Sequence, residues 1–202
     1  SEVLDRLIAA GLDSVPGGGA EILVDRVRKL VAPKKCSADQ WLEVMEKAHE
    51  KGLRTTATMM FGHVETIEER VEHLRRLRTL QDRTGGFTAF IPWPFQPDNT
   101  TLFAEGIYFK TSGWEYLRMQ ALSRNYLDNF DNNQASWETQ CPKISQLSLH
   151  FGANDFGSTM IEENVVAAAG VSFSLSEKEI CRLVADAGFM PRQRLMDYTI
   201  IN

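Results

Sequence analysis

Cysteine is scarce in this chain: Cys36, Cys141 and Cys181 are its only three. An odd number at wide spacing fits neither a disulfide framework nor a zinc or cluster loop of neighbouring thiolates. That usage points to a reducing compartment and a cytoplasmic protein. Long apolar runs are missing as well, and nothing approaches the roughly 18 residues a bilayer-spanning helix needs. Clustered positive charge is rare. A net charge of −5 and a pI near 5.4 argue against a nucleic-acid footprint, because neutralising phosphates takes grouped Lys and Arg. The one dense basic run, Arg75, Arg76 and Arg78, is interleaved with Glu68, Glu69 and Glu72. Glu72 and Arg76 make a helical i,i+4 pair, so the run reads as a solvated helix face. The chain has no low-complexity segment and no short-period repeat. It opens on SEVLDRLIAAG, without Met and already at helical spacing, so its natural start is expected upstream.

What is present is ordinary globular composition, 43% hydrophobic and 24% charged over 202 residues, enough to bury a core and to read as one domain over 1–202. Val3, Leu4, Leu7 and Ile8 have helical spacing, and Gly11 stands where a C-cap falls. Leu23, Val27, Leu30 and Val31 make a second helical face that Pro33 stops. Capping boxes at Ser37-x-x-Gln40, Thr66-x-x-Glu69 and Ser176-x-x-Glu179, and a matching start at Ser112-x-x-Glu115, open four more helices. Their expected inward positions are Trp41, Val44, Met45 and Ala48, then Ile67, Val71, Leu74 and Leu77. In the later pair they are Trp114, Leu117, Ala121 and Leu122, then Ile180, Leu183, Val184 and Ala187. A short helix is expected over 144–149. RTTATMM, residues 54–60, is β-branched and apolar without alternation, as for a parallel strand covered on both faces. Further strand candidates are 13–15, 87–92, ASWET at 135–139, and QRLMDYTII near the end. Strands separated by helices specify an α/β fold with its sites at the strand C-termini.

The residues that trail the strands are therefore the site candidates: Gly17, Gly18, Gly19 and Glu21; Met60, Gly62, His63 and Glu65; Trp93, Phe95, Gln96 and Asp98; Gln140; Asn154, Asp155 and Ser158. The set offers backbone access and stacking surface and is poor in phosphate clamps, as a nucleoside-sized pocket is. PGGGAE lacks the GxxxxGK[ST] lysine and the G-x-G-x-x-G register, so it is either a turn needing positive φ or a place where a ligand lies against backbone. His63 has the pKa range of an acid or base; the plainer alternative is a ring satisfying a backbone group. Glu65 stands where a helix dipole favours an anion. Trp93 and Phe95 read equally as wall or core, and Asp155 as acid or Asx-turn.

Taken together, GLDSVPGGGAEIL, TTATMMFGHVETIEERVEHL, TGGFTAFIPWPFQPDNT and FGANDFGSTMIEENVV resemble the radical SAM enzymes of the futalosine route to menaquinone, and among them the cyclic dehypoxanthinyl futalosine synthases. The resemblance runs from Gly11 to about Phe189. Aminofutalosine synthase and the deazaflavin-precursor synthase share the frame, usually with a smaller aliphatic residue in the place of Trp93. Thr58-x-Met60-x-Gly62-x-x-Glu65 is similar to the G-x-I-x-G-x-x-E adenine motif of biotin synthases. The resemblance implies a partial (β/α)8 TIM-type barrel, with 13–16, 55–60, 87–92, 135–139 and 154–158 as its fourth to eighth strands, followed by a C-terminal helix and tail.

It also implies S-adenosylmethionine held by Gly17, Gly18, Gly19, Glu21, Met60 and Gly62, and a nucleoside substrate held by Trp93, Phe95, Gln96 and Asn99. A 4Fe-4S cluster is implied too, with its CxxxCxxC ligands outside this chain and no metal ligand within it. The implied reaction abstracts a ribose hydrogen with a deoxyadenosyl radical, closes the sugar onto the benzoate ring, and then loses an electron and a proton, the proton going to His63 or Asp155. The chain alone is then expected to be inactive and to self-associate through its open side. The alternatives are a sibling reaction, a non-catalytic nucleoside-binding module, or a barrel enzyme that binds an anion at the glycines.

Overall fold

Ala57, Met59 and Phe61 are fully buried on one side of their strand, while Thr56, Thr58 and Met60 on the other side are half-buried. This alternation orients the whole molecule. The computed structural model describes residues 2–160, 164–170 and 173–201. Among them the chain runs α1 (Glu2–Ala9), β1 (Ser14–Val15), α2 (Asp25–Val31), α3 (Ala38–Glu50), β2 (Arg54–Phe61), α4 (Ile67–Thr84) and β3 (Phe87–Pro94). It continues through α5 (Thr101–Ala104), α6 (Gly113–Tyr126), β4 (Asn132–Asn133), α7 (Trp137–Gln140), α8 (Pro142–Ser148), a 3-10 turn (Leu149–Phe151), α9 (Asn164–Ala168) and α10 (Glu177–Asp186). The capping boxes at Ser37, Thr66 and Ser176 form as expected, Ser112 caps α6, and Gly85 ends α4 at φ 58°.

The result is an α/β fold with a parallel sheet in the order β1-β2-β3-β4. One face packs on α2, α3, α4 and α6 through Leu23, Met45, Met59, Leu74, Phe90 and Tyr116. A second cluster joins Trp137, Leu149, Phe156 and Leu183 beneath α7, α8 and α10. Register across β2 and β3 sets Thr58 beside Ile91 and Met60 beside Trp93 on the face no helix of the first cluster covers.

Several expectations are corrected here. β2 is covered on one face and half-open on the other, because α2, α3, α4 and α6 pack on one side of it. Residues 135–139 are not a strand: β4 is Asn132–Asn133, and Trp137 to Gln140 turn helical as the fully buried Trp137 indole enters the second cluster. Side-chain amides support that strand, with Asn132 donating to the Thr88 carbonyl at 2.8 Å and Asn154 to the Asp131 carbonyl at 3.0 Å. Residues 154–158 contribute a single parallel bridge, Asp155 to Gln134, and the C-terminal run makes only an antiparallel bridge between Arg194 and Ile200. Helix faces rotate as well. Trp114 (64% exposed), Ile67 (67%), Val44 (47%) and Leu122 (39%) point outward, and α6 buries Tyr116, Met119, Gln120 and Ser123 instead. The short helix expected at 144–149 is α8 with its 3-10 extension.

Candidate functional site

The half-open face carries two rows of side chains. Thr58 and Ile91 stand side by side, and Gln134, whose N–H donates to the Phe90 carbonyl at 2.9 Å, continues that row toward its bridge partner Asp155. One step along the strands, Met60 and Trp93 pair, with Ser136 following Gln134 at the strand period. Over these rows lies a cavity of about 260 Å3, lined by Ile91 and Trp93 of β3, Gln134 and Ser136 after β4, Glu138 and Thr139 of α7, and Val166 of α9. Trp93 thus lines the cavity beside Ile91. The polar lining was missed in sequence because 135–139 was read as a strand of its own. Begun at Asn132, the same run shows Gln134, Ser136 and Glu138 at period two.

The glycine turn sits within the wall and not beyond its end. β1 pairs with the start of β2, and the chain rejoins β2 only where Met60 N–H donates to the Glu21 carbonyl at 3.0 Å. Between these points Gly17 N–H donates to Thr56 Oγ1 at 2.8 Å, and Thr58 Oγ1 donates to the Gly17 carbonyl at 2.6 Å. A Cβ on Gly17 would stand 2.3 Å from the Thr56 carbonyl oxygen, so that position serves close strand approach. Gly19 needs its φ of +78°. Gly18 alone of the three has open space on its Cα and an ordinary φ. Buried Arg28 fixes the turn, donating to the carbonyls of Gly19 at 3.0 Å, Ala20 at 2.5 Å and Cys36 at 2.7 Å. The Glu21 carboxylate is taken by Lys35.

After β2 the loop closes on itself. Glu65 accepts from the N–H groups of Gly62 at 2.5 Å and His63 at 2.9 Å, and Arg70 binds it at 2.8 Å while reaching Glu115 at 2.8 Å. Burial pushes the Glu65 carboxyl up, but bonds from His63 and the loop amides outweigh it and hold it near 2. His63 is sealed from solvent. Its Nε2 donates to the Met60 carbonyl at 3.0 Å, and its Nδ1 lies 2.7 Å from Val64 N and 2.9 Å from Glu65 Oε2. A neutral ring accepts from Val64 there, and a protonated ring donates to Glu65. Gly62 faces Thr111, whose Oγ1 would be 1.9 Å from an added Cβ.

The remaining candidates are mostly engaged by the protein itself. Phe95 is buried edge-on against His63 at 5.7 Å between centroids. Gln96 donates to the Pro94 carbonyl at 3.1 Å and, at 3.4 Å, to that of the cavity residue Thr139. Asn99, at φ 61°, donates to the Ala168 carbonyl at 3.1 Å and so ties down α9, while Asp98 pairs with Lys110. Asp155 fills all four acceptor positions of its carboxylate: Gly157 N–H (3.0 Å) and Arg194 Nε (3.1 Å) on Oδ1, Arg194 Nη2 (2.6 Å) and Tyr198 OH (2.7 Å) on Oδ2. Asn154 braces β4, and Ser158 is exposed. Residues 161–163 of the FGANDFGSTMIEENVV motif lie outside the described residues.

Among the described residues no group of three His, Cys, Asp or Glu could hold a metal ion, and the three cysteines are free and on separate elements. No helix among them is long and apolar enough to cross a membrane.

Residues 84–202 match the CofH/MqnC C-terminal region, and residues 1–77 match the radical SAM superfamily. The chain is 49% identical over 197 residues to a cyclic dehypoxanthine futalosine synthase of Streptomyces coelicolor, covering 98% of this chain and 49% of the relative. It is 48% identical to an aminodeoxyfutalosine synthase of Thermus thermophilus (96% and 53%) and 45% identical to a 5-amino-6-(D-ribitylamino)uracil–L-tyrosine 4-hydroxyphenyl transferase of Methanosarcina barkeri (98% and 54%). It spans about half the length of these relatives. With both matches spanning its two halves, the chain belongs to the radical SAM superfamily, in the CofH/MqnC family.

Proposed function

We propose that this chain is the substrate-binding half of a radical SAM cyclase that converts dehypoxanthine futalosine to its cyclic form in menaquinone biosynthesis. The observation that carries the reading is the cavity on the half-open sheet face, where Trp93 stands beside Met60 of the adenine-type motif. In this reading β1 to β4 and the Asp155 bridge form the fourth to eighth strands of a (β/α)8 barrel, residues 1–202 are one domain, and the open side of the sheet pairs with a second copy when nothing else covers it. Three free thiols suit a reducing cytoplasm.

Radical SAM enzymes use S-adenosylmethionine and a 4Fe-4S cluster. This chain's described residues do not fit the cluster, so no step is assigned to them through it. They do fit the adenosine of S-adenosylmethionine: Gly18, whose carbonyl accepts from Trp41 Nε1 at 3.2 Å, leaves the space beside its Cα open to a ligand, and Met60 offers an apolar wall, with Gly17, Gly19, Glu21 and Gly62 shaping the cradle. When bound, S-adenosylmethionine supplies the radical that removes a hydrogen atom from the substrate ribose. Trp93 orients the substrate, with Phe95, Gln96 and Asn99 setting the wall and the position of α9 around it. The cyclised radical reaches the product by losing one electron and one proton, and the proton needs an acceptor. Both acceptor candidates are engaged in the fold: the Asp155 lone pairs are filled, and His63 Nδ1 gives up its bond from Val64 N–H to take a proton, gaining in exchange a charge-assisted bond to Glu65, which favours His63.

The test is turnover. The complete protein, reconstituted with iron, sulfide and reductant, should convert dehypoxanthine futalosine to the cyclic product seen by mass spectrometry, and residues 1–202 alone should not. Formation of aminofutalosine by the complete protein would assign the sibling reaction, and turnover by residues 1–202 would overturn the external cluster. Binding of S-adenosylmethionine without cleavage would favour the non-catalytic module.

A further inference from the structure

Glu21 holds a left-handed backbone, φ 44°, although it carries a side chain. Glycine or asparagine takes that conformation with less strain, so a turn alone does not account for the residue. Its carbonyl is tied to Met60 N–H at 3.0 Å, and its carboxylate is buried. A buried carboxylate needs donors. Among the described residues its side-chain partner is Lys35, which reaches in from the loop between α2 and α3 and is itself half-exposed.

The groups around the turn are held in different ways. Arg28 is buried and committed to the carbonyls of Gly19, Ala20 and Cys36, and Trp41 Nε1 donates to the Gly18 carbonyl at 3.2 Å. Those bonds fix the backbone. Lys35 crosses it instead: its Cδ, Cε and Nζ stand 3.8 to 4.0 Å from where a Cβ on Gly19 would be. An ammonium on a flexible stem, half in water, gives up one carboxylate contact for hydration at little loss, whereas Glu21 cannot go without a donor. A ligand that brings donors removes that obstacle. The vicinal hydroxyls of a ribose are such donors, two O–H groups for the two oxygens of one carboxylate.

We infer that Lys35 is a latch on the adenosine cradle: its ammonium holds the Glu21 carboxylate and its stem covers Gly19 until the ribose hydroxyls of the ligand take over the carboxylate and send the lysine into water. The inference rests on the adenosine reading of the glycine turn given above and adds the side chain that must move.

Lysine acylation reads the latch directly. The 202-residue chain is trace-labelled with acetic anhydride, with and without saturating adenosine, and each lysine is followed by mass spectrometry. A bound ligand ordinarily shields lysines; here adenosine should raise the labelling of Lys35 several-fold and leave Lys47, paired with Glu43 on α3, unchanged. Dideoxyadenosine, which lacks both vicinal hydroxyls, should leave Lys35 protected. In calorimetry Lys35→Met should tighten adenosine about tenfold, because the competitor is gone and the stranded carboxylate gains from each hydroxyl, and adding Glu21→Gln should cancel that gain. Should Lys35→Met fail to fold, salt makes the same comparison in the unaltered chain. Adenosine is neutral, so its affinity should rise about twofold between about 50 and about 500 mM NaCl as screening weakens the ion pair, and should stay level in Glu21→Gln. Lys35 labelling that falls or stays level in saturating adenosine, or a chain that binds no adenosine, overturns the latch. Failure of the functional reading looks different: adenosine still releases Lys35 while the complete protein leaves dehypoxanthine futalosine unchanged.

Discussion

Gly17 and Gly18 are neighbours of the same type, yet the backbone asks opposite things of them. At Gly17 an added methyl would meet the Thr56 carbonyl at 2.3 Å, and backbone on a paired strand does not move aside; at Gly18 nothing lies within 4 Å. Gly17→Ala should therefore destabilise the chain by about 3 kcal/mol, while Gly18→Ala should stay within about 0.5 kcal/mol of the parent. Urea denaturation of the two variants checks this. If Gly18 faces the adenosine, Gly18→Ala should instead weaken S-adenosylmethionine binding by the complete protein, measured by calorimetry, about tenfold. Equal stability losses at both positions would remove the distinction. Sequence showed that PGGGAE is a special backbone site but could not assign roles within it, because the difference comes from the Thr56 carbonyl 39 residues away.

Elements were legible where their signals are local. The capping boxes at Ser37, Thr66 and Ser176 place side chain and backbone donor within one turn, so pattern and structure agree. β4 was not, since Asn132 and Asn133 have poor strand propensity and pair through amide bonds from distant residues, whereas Trp137 and Thr139 look β-like and are pulled into helix by the second cluster. The C-terminal hairpin is the extreme case, as its reason lies in Asp155. Arg194 and Tyr198 supply three of that carboxylate's four hydrogen bonds, and the Arg194 guanidinium stacks 4.1 Å from the Tyr198 ring centre. Asp155 is 8% exposed, so removing Arg194 strands a buried charge. Arg194→Met should cost about 3 kcal/mol and Tyr198→Phe about 1 kcal/mol. Combining Arg194→Met with Asp155→Asn should cost less than the sum, because the second change removes the charge the first one stranded. Urea midpoints for the set decide it, and an Arg194→Met variant as stable as the parent would mean the tail is not held through Asp155.

At the scale of the whole molecule, stability should depend on acid in two stages. Burial, aided by the positive charge of Arg28, lowers the pKa of His73 to about 3, and burial with Arg54 lowers that of His49 to about 4. Both are neutral in the fold: His73 Nδ1 accepts from Leu23 N–H at 2.9 Å just past the glycine turn, and His49 bridges Thr84 and Thr55 at 2.7 and 2.8 Å. In the unfolded chain each returns to an ordinary value near 6.5. Folded values lie below unfolded ones, so this stability is complete above about pH 6.5 and is lost as pH falls, at up to roughly 1.4 kcal/mol per pH unit for each histidine. Glu65, near 2 in the fold against an ordinary 4.5, has the same sign but acts only below that upper value. The urea midpoint should therefore be flat above pH 7, fall between pH 6.5 and 5 before the carboxylates titrate, and steepen below pH 4.5. His73→Gln, which keeps an acceptor for Leu23, should remove about half of the first slope and leave the second stage in place. A midpoint constant from pH 6.5 to 5 in the parent, or a first slope unchanged in His73→Gln, would show that these rings are not held neutral by the packing that surrounds the sheet.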